Sequence, residues 1–96
     1  MIHTATVALP PAAILERAKR FFAERVPHMS AFLEKEGPQF LVLRGQGGEE
    51  LAFSARALDP AAGTPRSHVR VSTLFFDQGV DRFLSTLPLE SGVEVS

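Results

Sequence analysis

Residues 3–26 read HTATVALPPAAILERAKRFFAERV, and the spacing of apolar side chains changes once along them. From His3 to Leu9, Ala5, Val7 and Leu9 alternate with Thr4 and Thr6. A period of two predicts a strand with one dry and one wet face. Pro10-Pro11 ends it, because proline has no amide hydrogen for a ladder but fits a first helical turn. From Ala12 to Val26 the period lengthens. Ile14, Ala18, Phe21, Phe22 and Val26 form one stripe, with Glu16, Arg17, Lys19, Arg20 and Glu24 opposite. That pattern predicts an amphipathic helix closed by Pro27.

Four further stretches carry strand patterning: Ser30–Glu36, Gln39–Arg44, Glu50–Leu58 and Ser67–Phe76. They are punctuated by Gly37-Pro38, by Gly45-Gln46-Gly47-Gly48 and by Asp59–Pro65. Gly37-Pro38 fits either a hairpin turn or a bulge within one longer strand. Asp77 is placed to cap a short helix with Val80, Phe83, Leu84 and Leu87 on one face, ended by Pro88. The order β-α-β-β-β-β-α implies an α+β, two-layer sandwich: a mainly antiparallel sheet of four or five strands, with two helices on one face. Residues 1–88 are expected to form a single domain, and residues 89–96 a C-terminal tail.

A chain of 96 residues with 45% hydrophobic and 22% charged residues has globular composition. Its net charge of −1 supplies no long-range field for nucleic acid or anionic lipid. With no cysteine, disulfides, thiolate zinc sites and cysteine nucleophiles are excluded. No apolar run reaches the roughly 20 residues of a membrane helix. Residues 1–6 lack the basic start and apolar run of a secretion signal, so a cytoplasmic location is expected.

No motif carries recognisable chemistry. The cluster Gly45-Gln46-Gly47-Gly48 lacks nucleotide-binding spacing and precedes Glu49 and Glu50, so it reads as a hairpin turn. His3, His28 and His68 have no metal-ligand spacing, and His68 stands between Arg66 and Arg70 as a solvated strand residue. None of Ser30, Ser54, Ser67, Ser72 and Ser85 has the context of a catalytic serine. Glu34 and Glu36 would share one side of a strand, and solvated carboxylates are the plainer reading. No catalytic residue, cofactor or metal is therefore assigned.

Simple antiparallel pairing assigns the strand faces. It sets Ala52 opposite Leu74, Ser54 opposite Ser72 and Arg56 opposite Arg70. On the neighbouring strand it sets Leu41 beside Ala52 and Leu43 beside Glu50 and Phe76, and a tight turn at Gly37-Pro38 brings Phe32 opposite Leu43. The helix-covered face then holds Leu33, Phe40, Val42, Leu51, Phe53, Val69, Val71 and Phe75. The other face divides. One end gathers Phe32, Leu41, Leu43, Leu74 and Phe76, and the other Glu36, Gln39, Ser54, Ser72, Arg56 and Arg70. Four or five large apolar side chains on an open face signal either contact with a partner or cover by a loop or the C-terminal tail. Arg56 and Arg70 are candidates for holding an anion or a partner's carboxylate.

The run Ala5-Thr6-Val7-Ala8-Leu9-Pro10, entering a helix and then an antiparallel meander, resembles the start of helix-grip domains of the START and polyketide-cyclase type. That resemblance implies the element order and, in the family, a hydrophobic cavity roofed by a long closing helix. Only a brief helix follows Phe76 in this chain, and no functional residue is carried over. The expected function is a non-enzymatic binding or accessory protein acting by protein–protein contact, as a homodimer or a small subunit of a larger assembly. The alternative is a small hydrophobic-ligand carrier or minor enzyme with a pocket between sheet and helices. Nucleic acid and small molecules are not expected as partners.

Overall fold

The computed structural model describes residues 1–24, 31–90 and 92–96. Val26, Pro27, His28 and Ser30, named above, lie outside the described residues. Strand β1 (Ile2–Val7) and helix α1 (Pro11–Glu24) form as the change of period predicts. On β1, His3, Ala5 and Val7 are buried, and Ile14, Leu15, Ala18, Phe21 and Phe22 of α1 are buried beside them. The meander follows as β2 (Ala31–Glu36), β3 (Phe40–Gly45), β4 (Glu50–Ala61) and β5 (Thr64–Thr73). Helix α2 (Asp77–Leu84) buries Val80, Phe83 and Leu84, and Leu87 is buried just beyond it.

The sheet is antiparallel throughout, in the order β2-β3-β4-β5-β1-β6, and both helices lie on one face. The fold is the expected α+β sandwich with one more strand. That strand, β6 (Glu94–Val95), comes from residues 89–96, read from sequence as a tail. Glu94 pairs with Thr4 and Val95 with His3, and Ile2 and Ser96 exchange backbone hydrogen bonds of 2.9 Å. A two-residue strand carries almost no periodicity, so only the free edge of β1 creates it.

Two turns and two bulges set the register. Gly37 N–H donates to the Phe40 carbonyl at 2.9 Å, so Gly37-Pro38 begins a tight hairpin turn. Gly37-Pro38 is therefore a turn and not a bulge within one longer strand; a shift in pairing between Leu33 and Lys35 adds a separate bulge to β2. The span Asp59–Pro65, expected as an irregular loop, continues the β4–β5 ladder. Ala61 pairs with Thr64 around Ala62 (φ 52°) and Gly63 (φ 81°), two positive φ angles of the kind that suit a hairpin's twist. Asp59 and Pro60 stand opposite Pro65 between the pairs Leu58–Arg66 and Ala61–Thr64. Both prolines therefore fall in a bulge, where no ladder amide is needed.

The register corrects the expected faces. Ala52 pairs with Ser72 rather than Leu74, a slip of two that leaves β4 and β5 facing as expected. Leu51, Phe53, Val69 and Val71 are accordingly buried. Leu41 pairs with Phe53 and Leu43 with Leu51, a slip of one that exchanges the faces of β3. Leu41 and Leu43, expected outside, are 1% exposed, and Phe40 and Val42 turn outward. At the end of β5 the Thr73 hydroxyl accepts the amides of Phe75 (3.3 Å) and Phe76 (3.1 Å), turning the chain out of the sheet. Phe76 thereby enters the core at 1% exposure while Phe75 faces solvent, the reverse of the expectation.

Candidate functional site

The space between helices and sheet is filled by rings. Phe22 lies 5.8 Å from Phe53, 6.1 Å from Phe76 and 6.0 Å from Phe83, and Phe53 and Phe83 meet edge to face at 5.8 Å. An open groove of about 520 Å³ lies instead between the helices, lined by Glu16, Arg17, Arg20, Phe21 and Phe83 among others.

The opposite face of the sheet is open among the described residues. Across it, the register lays Phe40, Ser54, Arg70, Thr4 and Glu94 in one row. The next row inward runs Lys35, Val42, Ala52, Ser72 and Ile2, and a third carries Arg56, His68 and Thr6. Phe32 pairs with Arg44 and Arg44 with Glu50 at the far end. Of the apolar candidates from sequence, this face keeps Phe32, 53% exposed; Leu74, 96% exposed, follows β5 at the same end. Leu41, Leu43 and Phe76 belong to the core. Phe40 and Val42 join the open face in their place.

Its charges divide into satisfied and free. Arg44 donates to Glu34 (Nε–Oε2 3.0 Å), to the Gly48 carbonyl (3.0 Å) and to Glu50 (3.3 Å). Arg66 donates to both oxygens of Glu90 at 2.8 and 3.0 Å and to the Asp59 carbonyl at 3.2 Å. The Arg66 bonds hold the Glu90 carboxyl below its ordinary value, and Glu90 raises that of Arg66. Arg56 and Arg70, expected opposite one another, are diagonal neighbours, with Arg56 paired to His68 and Arg70 to Ser54. Among the described residues neither has an acidic partner.

Glu34 and Glu36 are separated by the bulge. Glu34 meets Arg44, whereas Glu36 pairs with Leu41 on the helix side and accepts from Lys19 of α1 at 3.0 Å. Glu36, expected among the polar outer residues, leaves that face for this reason. Its hydrogen bond is the main cause that raises the Lys19 amine above its ordinary value. Ser67 is buried and donates to the Leu9 carbonyl at 2.7 Å, a structural bond.

One polar pair escaped the sequence reading. His3, 3% exposed, places Nε2 2.8 Å from Oδ1 of Asp77, 74 residues away. A carboxylate only accepts, so Nε2 carries a proton toward Asp77, and the buried Nδ1 has no hydrogen-bond partner among the described residues. The expected capping role of Asp77 is replaced: Phe76 occupies the cap position, and no side chain bonds there. The His3 bond, aided by the terminal amine of Met1 3.4 Å away, holds the Asp77 carboxyl below its ordinary value. Nothing in sequence spacing links residues this distant.

Among the described residues no group of three or more acidic, histidine or cysteine side chains could hold a metal ion. Among the described residues no helix is long and apolar enough to cross a membrane. Comparison with protein-family models, curated proteins and solved structures finds no match.

Proposed function

We propose that this chain is a non-enzymatic binding or accessory protein that works by protein–protein contact through the open face of its sheet. One observation carries the reading. The helices cover one side of the sheet, and the other exposes Phe32 and Phe40, with Val42 half-buried beside them and two arginines that have no acidic partner among the described residues. Exposed apolar area of this kind marks an interaction surface in soluble domains. The face is favoured over the edges. Edge strand β2 carries Glu34, Lys35, Glu36 and a bulge, all of which discourage pairing with another strand, and β6 spans two residues. Ring-on-ring packing between helices and sheet supports contact over the carriage of a hydrophobic ligand there.

Native mass spectrometry of the chain in its own cell extract tests this reading. The wild type should run in a particle heavier than one chain. Phe32→Ser with Leu74→Ser should return it to the mass of one chain with an unchanged circular dichroism spectrum. A wild type found only at the mass of one chain would refute it.

A further inference from the structure

On the open face Arg44 and Arg66 are held by acids of their own chain, whereas Arg56 and Arg70 are not. Among the described residues no carboxylate reaches either guanidinium, or the ring of His68. The register gathers the three. Arg56 stands directly opposite His68, and Arg70, two residues along β5, is its diagonal neighbour at about 7–8 Å, within reach of long side chains. Their other cross-strand neighbours are short hydroxyl side chains: Ser54 and Thr4 flank Arg70, and Thr6 flanks His68. The two guanidinium groups and the His68 ring therefore stand among short side chains that supply further hydrogen-bond donors. Like charges at this spacing repel, and an anion seated among them replaces repulsion with charge-assisted hydrogen bonds.

We infer that the Arg56–His68–Arg70 cluster receives a carboxylate-bearing segment of a different protein, docked on the open face beside Phe40 and Val42. The inference rests on the contact reading above and names the chemistry of the partner. A second copy of this chain fits less well. An isologous contact opposes a patch to itself. The unpaired charges along these rows are Lys35, Arg56 and Arg70 against Glu94 alone among the described residues. Nucleic acid also fits less well, since phosphate binding draws on many cations and the chain carries a net charge of −1.

The full chain carrying Arg56→Lys and Arg70→Lys keeps both charges and adds two amines. A carbodiimide joins such amines to a touching carboxylate with no spacer. After treatment of the native particle, peptide mass spectrometry should find these positions joined to Asp or Glu of another protein. In parallel, Arg56→Glu with Arg70→Glu should lower the particle-bound fraction at least about tenfold, because a hydrogen bond to a charged group contributes about a factor of ten or more. Ribonuclease and deoxyribonuclease should leave the particle intact. Three outcomes overturn the inference while leaving the contact reading in place: a particle that persists without the cross-link, cross-links only to Glu94 of a second copy, or no loss on charge reversal. Dissolution by nuclease overturns both, as does a wild type found only at the mass of one chain.

Discussion

Replacing Phe76 with alanine separates the observed packing from the register that strand patterning alone suggests. Phe76 is 1% exposed, edge to face with Phe22 at 6.1 Å and 82°, and in contact with Phe75 at 5.3 Å. Truncating a buried phenylalanine costs about 3–5 kcal/mol, and the aromatic pairs lost with it place Phe76→Ala toward the upper end. Leu74, two residues earlier, is 96% exposed, so Leu74→Ala should change stability by no more than about 0.5 kcal/mol. For a domain of this size each kcal/mol moves the melting temperature by about 4–8 °C, which makes the Phe76 shift about 12 °C or more. The chain has no tryptophan or tyrosine, so urea unfolding is best followed by far-ultraviolet circular dichroism. An unchanged denaturant slope would confirm that the native state, and not the unfolded ensemble, is affected. A cost below about 1.5 kcal/mol for Phe76→Ala, or an equal cost for Leu74→Ala, would refute the burial of Phe76.

The His3–Asp77 pair predicts acid sensitivity. Because the Asp77 carboxyl is lowered in the folded state, its contribution is present above the unfolded value, near 3.9, and is lost as pH falls through the folded value. Urea midpoints measured from pH 7 down to pH 2.5 should fall below about pH 4. Asp77→Asn should lower the midpoint at pH 7 and flatten that fall, and identical slopes in both proteins would count against the pair. At the tip of the β4–β5 hairpin, Gly63 has φ 81° and Ala62 has φ 52°. Gly63→Ala should destabilise by about 1 kcal/mol, whereas Ala62→Gly should cost nothing or stabilise, because a left-handed alanine carries about 1–2 kcal/mol of steric cost. Thermal melts of the two variants moving in the same direction would contradict the turn geometry.

Local pattern was enough to define β1, α1 and the buried face of α2. Their apolar positions repeat with a single clear period, and Pro10-Pro11 marks the first boundary. The faces of β4 and β5 were also legible, because a slip of two residues returns every side chain to the same side. Strand β3 was not. Phe40, Leu41, Val42 and Leu43 are all apolar, so alternation there has no phase, and a slip of one residue exchanges core and surface. The same ambiguity held for Leu74-Phe75-Phe76 until the Thr73 hydroxyl turned the chain.

From sequence alone came an α+β order, the absence of thiol chemistry and a pair of arginines on an outward strand face, since composition and period are properties of short segments. Which phenylalanines and leucines form the open face was decided by tertiary structure. So were the separation of Glu34 from Glu36, the meeting of His3 with Asp77 and the strand formed by Glu94–Val95. Each of these depends on turns and bulges that fix the register between distant segments, and register is a relation between strands that no single strand encodes.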